Sequence, residues 1–221
     1  RTATLHIHCH ADLERILTPQ LEYFCKGMAY NVEFHLINPT KAEVVYEDRS
    51  VTVSSIPLRH RIPTCGFLFA EKPTPNHIIR DMIDFYKVPV FELNRIKNGE
   101  DYVLPDGTVI PNNRLTTPPA PPRSYAYCSD TIFHRPIIEQ IKGVNLLFHE
   151  ATFAQCDAQR AKETFHTTAM QAGEIARDAD VKQLLIGHFS ARYEDENILL
   201  QEARSVFPNT LLAKENLKVT L

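Results

Sequence analysis

Tyr127-Cys-Ser-Asp130-Thr131, Leu146-Leu-Phe-His149-Glu150-Ala-Thr-Phe153, His166-Thr-Thr-Ala169 and Leu184-Leu-Ile-Gly-His188-Phe-Ser-Ala-Arg192-Tyr193 follow one another in the second half of the sequence. Three times a short apolar run ends abruptly in polar residues: 124–128 before Asp130, 144–148 before His149 and Glu150, and 181–186 before His188. Apolar runs of that length, bounded by turns, read as buried strands. Loops at strand ends are where a scaffold places chemistry. Aspartate and histidine delivered from several strand ends point to one metal centre.

The rest of the chain sets the frame for that stretch. Its 221 residues suffice for one large domain or two small ones, with a sizeable core. Hydrophobic content of 43% and charged content of 23% fit a soluble globular protein. A net charge of −3 gives no global basic signal, so a nucleic-acid partner must meet a local patch. The five cysteines are scattered and form no CxxC pair, which favours a reduced, cytoplasmic setting over a disulfide framework. No apolar run reaches eighteen residues, so no membrane span is expected. The sequence has no signal peptide and opens without methionine at the edge of a strand-like run, which suggests a fragment.

In chain order, residues 4–8 read as a strand. Asp12 can cap a short helix over 13–17, and Thr18-Pro19 restarts a helix through about Lys26 with Gly27 beyond its end. Val32, Phe34 and Leu36 alternate as a half-buried strand. A hairpin over 43–47 and 51–56 leads to Pro57-Leu-Arg-His60, and Gly66 to Ala70 is another strand. The apolar residues between Pro75 and Lys87 have helical spacing, 91–97 is a second short helix, and Pro105-Asp106-Gly107 is a turn between short strands. The proline-dense Thr116–Pro122 run reads as an extended loop rather than a domain boundary. Thr168-x-x-Gln171 is a capping box, followed by a small-residue face of Ala169, Ala172, Ile175, Ala176 and Ala179. An amphipathic helix over 195–207 and closing strands at 210–213 and 217–221 complete the chain. Sheets covered by helices in an αββα layering are the expected α/β architecture.

His60, Asp130 and His188 each follow an expected strand, and imidazole with carboxylate suits Zn²⁺ or Mn²⁺. His166 lies before a helix instead, and an imidazole that titrates near neutrality suits a proton donor. Each residue also has a plainer reading. A histidine after a strand is commonly a hydrogen-bonded surface residue, Asp130 can simply cap a helix, and Glu150 can be a strand-end carboxylate that orients a neighbour.

Ser-Asp-Thr at 129–131, His-Glu-Ala-Thr-Phe at 149–153, His-Thr-Thr-Ala at 166–169 and Gly-His-Phe-Ser-Ala-Arg-Tyr at 187–193, in that order and spacing, closely resemble the tRNase Z family of the metallo-β-lactamase superfamily. Pro57-Leu-Arg-His60 with Gly66 and Glu71 resembles the family's earlier histidine motif, so the resemblance runs from about residue 4 to the C-terminus. It implies a single metallo-β-lactamase αββα domain over 1–221 and a two-zinc endoribonuclease, with Mn²⁺ or Mg²⁺ as other possible ions. The substrate would be precursor tRNA, the assembly a homodimer, and the 3′ trailer the piece removed. His60 and His188 would each bind one zinc, Asp130 would bridge both, and His166 would protonate the leaving oxygen. Glu150 would support the site from behind, and Arg192 would lie near the substrate phosphate.

Two departures from the family pattern carry expectations of their own. The family's His-x-His-x-Asp-His motif is missing. His8-Cys9-His10-Ala11-Asp12-Leu13 imitates it at the wrong spacing from His60 and with Leu13 as its last residue, so it reads as non-catalytic. The expectation is that some eighty N-terminal residues precede this sequence and complete the metal site. The family's tRNA-gripping arm is represented by a reduced region around 72–101, with Lys72, Arg80, Lys87, Arg95 and Lys97 as a local positive tendency. A phosphodiesterase acting on small diesters, or an inactive RNA-binding or structural remnant, are the competing readings.

Overall fold

The three apolar runs fold as neighbouring parallel strands. The structure is a computed structural model and describes residues 2–221. In chain order its elements are β1 (Leu5–Cys9), α1 (Ala11–Phe24), β2 (Val32–Leu36), β3 (Val44–Glu47), β4 (Val51–Pro57), β5 (Cys65–Glu71), β6 (His77–Ile78), α2 (Arg80–Phe85), α3 (Leu93–Lys97), β7 (Tyr102–Val103), β8 (Val109–Ile110), α4 (Asn112–Leu115), β9 (Thr116–Thr117), β10 (Ser124–Cys128), β11 (Leu146–Glu150), α5 (Ala158–Thr164), α6 (Ala169–Asp178), β12 (Gln183–Gly187), α7 (Asn197–Val206) and β13 (Thr210–Leu212). The described residues form two compact units, one made of residues 2–70 and 123–221, the other of 71–122.

In the larger unit a seven-stranded sheet has the order β13-β12-β11-β10-β5-β4-β3. The run β10 to β13 is parallel, while β5 joins β10 antiparallel. The register aligns Cys128 with His149 and His149 with Ile186, so β10, β11 and β12 end at nearly the same level. Their carboxyl ends share one edge, the place where open α/β sheets hold ligands. The small-residue face read from the sequence is present: Ala169, Ala172, Ile175, Ala176 and Ala179 are fully buried. The capping box is complete, with the Thr168 side chain accepting from Gln171 N and the Gln171 side chain accepting from Thr168 N. It fixes the start of α6 directly after His166 and Thr167. Leu147, Leu184 and Ile186 are fully buried from the sheet, each worth about 1.5–3 kcal/mol of apolar burial. A separate two-stranded parallel sheet pairs β1 with β2.

The smaller unit has its own core of Ile83, Val88, Ile96, Tyr102, Ile110 and Leu115. Its 105–107 turn joins β7 to β8 as expected, whereas the proline-rich run, read from the sequence as a loop rather than a boundary, ends the unit at Pro122. Its positive tendency is partly cancelled: Arg80 pairs with Asp84 at 3.3 Å, and Arg95 pairs with Glu92 at 3.1 Å and Glu100 at 2.6 Å.

Three local expectations are corrected. α1 runs unbroken through Pro19 rather than restarting there. Pro19 and Arg15 are both exposed, so the carbonyl that loses its helical partner meets water. The helix expected from Pro75 is confined to Arg80–Phe85, because β6 pairs with β9 and Ile79 N bonds to Leu115 O. Residues 217–221 are not a strand; Leu217 and Leu221 stay exposed, and β13 ends the order of the large sheet.

Candidate metal centre

Asp130 lies two residues past β10, Glu150 ends β11, and His188 immediately follows β12. Asp130 and His188 both adopt left-handed backbone conformations, with φ of 57° and 60°. Such conformations are unfavourable for residues with a Cβ and persist where surrounding structure over-determines them, often at functional sites. Sharp turns at the ends of β10 and β12, the strands on either side of β11, fold both side chains back over one spot. Asp130, Glu150, His166 and His188 each offer a ligand atom within 4.8 Å of the others.

A hydrogen-bond hub behind the cluster fixes its orientation. The Glu150 carboxylate is fully buried. It accepts from Thr131 N at 2.5 Å, the Thr152 hydroxyl at 2.6 Å, Thr167 N at 3.0 Å and His166 Nδ1 at 3.1 Å. Burial pushes its pKa up, but donation from His166, Thr152 and Thr167 outweighs that and holds it below the usual carboxylate range. The Glu150 hydrogen bond raises the His166 pKa against the opposing effect of burial. With Nδ1–H donated to Glu150, His166 keeps Nε2 for the site.

His188 is oriented through the same hub. Its Nδ1 lies 2.9 Å from Thr152 Oγ1, whose proton goes to Glu150. With Nδ1 turned to Thr152, His188 Nε2 faces Asp130 Oδ1 at 3.2 Å. That spacing lets the two atoms share either a proton or a cation. Imidazole nitrogen, carboxylate oxygen and outer hydrogen bonds that fix the ring orientation form a donor set that fits Zn²⁺ or a similar transition ion.

Of the residues expected from sequence, Asp130, Glu150, His166 and His188 come together. His60 lies beside them: its ring centroid is 5.1 Å from that of His166, and its Nδ1–H donates to Phe165 O at 3.0 Å, leaving Nε2 available. It is not within the four-residue group. Arg192 is exposed, with its guanidinium 5.8 Å from the centroid of the Phe153 ring. Thr131, Thr152 and Thr167 were not singled out from the sequence. The available signal was the recurrence of hydroxyl residues beside each acidic or histidine position in the motifs. Phe165 was also missed; its left-handed turn, φ 62°, presents the carbonyl that receives His60.

A mixed sheet with acidic and imidazole groups gathered at the carboxyl ends of its parallel strands defines the class, and solved structures give it a name. The metallo-beta-lactamase fold protein YhfI from Bacillus subtilis matches 96% of this chain and 63% of its own, with a TM-score of 0.57 and 18% identity. The short form of human tRNase Z matches 86% of this chain and 61% of its own, with a TM-score of 0.56 and 18% identity. The fold is that of the metallo-β-lactamases, as expected from the motifs. No protein-family model matches the chain. Ribonuclease Z of Phocaeicola vulgatus is 73% identical over 221 residues, which are 100% of this chain and 72% of that protein. The chain belongs to the ribonuclease Z family.

Proposed function

We propose that this chain acts in a zinc-dependent endoribonuclease that removes the 3′ trailer from precursor tRNA and leaves a 3′ hydroxyl. One observation carries the reading: Glu150 fixes His166 and, through Thr152, His188, beside the carboxylate of Asp130. His60, Asp130 and His188 are the residues that would hold zinc in this chain. When bound, the ions supply Lewis-acid polarisation of the phosphodiester and lower the pKa of water.

The chain's own residues do the rest. Glu150 holds the His166 Nδ1 proton and favours the protonated ring, so Nε2–H is available to the leaving oxygen. As water adds to the phosphorus and the P–O3′ bond breaks, the phosphate stays on the trailer, and the departing oxygen takes the proton and becomes the 3′ hydroxyl of the tRNA. Arg192, on the exposed loop after β12, would meet the phosphate, and the cationic residues of the 72–101 region would add salt-dependent backbone contacts. Family resemblance supports a homodimer and a cytoplasmic location. Among the described residues no helix is long and apolar enough to cross a membrane.

The test is cleavage of a precursor tRNA by the metal-loaded protein. His166→Ala is expected to slow cleavage by about 10²–10⁴-fold while leaving metal content unchanged. Loss of metal in that variant would make His166 a ligand and overturn its assigned role. Cleavage of small diesters without cleavage of precursor tRNA would reject the substrate.

A further inference from the structure

A second group of ligand-type side chains lies on the β1–β2 sheet. In that parallel ladder His6 aligns with Glu33 and His8 with His35. Side chains alternate across a strand, so these four residues share one face. His6 Nδ1 lies 2.9 Å from His35 Nε2 and 3.4 Å from Glu33 Oε2. The ligand atoms of His6, Glu33 and His35 all lie within 4.8 Å of one another. We propose that His6, Glu33 and His35 form a binding site for one divalent transition-metal ion, built on the β1–β2 ladder.

Imidazole nitrogens bound to a common tetrahedral zinc at about 2.0–2.1 Å stand roughly 3.3 Å apart. The observed 2.9 and 3.4 Å separations from His6 bracket that spacing, and the third pair, Glu33 and His35, lies within 4.8 Å, so side-chain rotation can bring all three onto one ion. The two facing nitrogens cannot both be protonated at 2.9 Å. In the metal-free state one proton sits between them; on binding it moves to the far nitrogen of its own ring, and both near nitrogens become ligands.

Neighbouring rings restrict the rotations that would disperse the group. His8 stacks on His35 at 4.7 Å with an interplanar angle of 18°, and the Tyr46 ring meets His8 edge-on at 6.2 Å. Two imidazoles and one carboxylate suit Zn²⁺, Co²⁺, Ni²⁺ or Cu²⁺ rather than Mg²⁺ or Ca²⁺, which favour oxygen ligands. His6 and Glu33 keep side-chain exposures of 51% and 56%, so water can complete the coordination. The ladder that carries this group is a separate sheet from the one carrying Asp130 and His188.

The experiment uses metal-free protein carrying Asp130→Asn and His188→Ala, which silences the first cluster. Titrated with Co²⁺ alone, it is expected to take up one equivalent with visible d–d absorption, unaffected by equimolar Mg²⁺. Paramagnetic broadening should centre on residues 6, 33 and 35. Adding His35→Ala should remove the absorption, and Glu33→Gln should weaken binding, both with unchanged far-UV circular dichroism. Absence of Co²⁺ uptake below about 1 mM, or uptake that survives His35→Ala, would overturn the site. A cleavage result for precursor tRNA bears on neither outcome, so the two proposals fail separately.

Discussion

Glu150 and His166 form a buried carboxylate–imidazole pair in which Nδ1 lies 3.1 Å from both carboxylate oxygens. The carboxylate side chain is fully inaccessible, and that of the histidine is 14% exposed. Glu150→Gln keeps the shape but removes the charge and replaces one acceptor oxygen with an NH₂ donor facing Thr131 N or Thr152 and Thr167. Breaking one side of a buried charged pair costs on the order of 3 kcal/mol. The expected outcome is a lower denaturation midpoint and a reduced kcat, with metal stoichiometry unchanged. Loss of one metal equivalent, measured by elemental analysis, would instead make Glu150 a direct ligand.

Thr152 carries the next prediction because one hydroxyl serves several partners. It donates to Glu150 and lies 2.9 Å from both His188 Nδ1 and the His188 carbonyl. Thr152→Val is nearly isosteric, leaves the His188 Nδ1–H without its acceptor and strips one donor from Glu150. A loss of about 1–3 kcal/mol is expected from the unsatisfied buried groups. Outer partners of metal-binding histidines also tune affinity, so zinc should bind about 10–100-fold more weakly. Competition against a chromophoric chelator measures this; affinity equal to wild type would remove Thr152 from the site's support.

Tyr193 ties the loop after β12 to the loop after β11. Its hydroxyl donates to Asp157 at 2.5 Å and accepts from Ala154 N at 2.9 Å. Burial, and then the Asp157 carboxylate, raise its pKa above the usual tyrosine value. The folded state therefore prefers the neutral hydroxyl. That stability is fully present below the unfolded pKa of about 10 and is lost as pH rises through the higher folded value. Tyr193→Phe should cost about 1–2 kcal/mol near neutral pH and should lose less additional stability than wild type above pH ~10. Parallel stability–pH curves for the two proteins in the alkaline range would contradict the assignment.

Local physics made much of this fold legible. The α6 capping box, the alanine face behind it and the apolar runs of β10, β11 and β12 each depend on residues within a few positions of one another. Asp130, His166 and His188 were legible as chemistry-bearing residues because apolar runs or a helix cap frame them. Their convergence depends on the parallel order β10-β11-β12 and on left-handed turns at Asp130 and His188, a conformation these residue types tolerate better than most but that no local pattern specifies. The seating of His60 depends on a carbonyl 105 positions away. The Thr152 hub escaped notice because a threonine after a strand is ordinary until its partners are known. Pro19 misled for the opposite reason: the local rule against proline inside a helix is real, but it costs less where the freed carbonyl meets water.

The packing of α6 against α7 gives a prediction that reverses helix propensity. Gly173 is buried in the middle of α6. In an exposed helix, replacing such a glycine by alanine stabilises by about 1 kcal/mol. Here a Cβ at position 173 would lie 2.9 Å from the Ala203 carbonyl oxygen and 3.1 Å from Val206 Cβ. The first of these is α7 backbone, which cannot rotate away, so relief requires the two helices to separate. Overpacking of that kind costs about 1–3 kcal/mol, which outweighs the propensity gain. Because the capping box sets the start of α6 directly after His166 and Thr167, a shift of the helix should also loosen the His166–Glu150 contact. Gly173→Ala should therefore lower both the thermal midpoint and kcat without changing metal content. A stabilised Gly173→Ala protein would show that α6 and α7 are less closely packed than the structure has them.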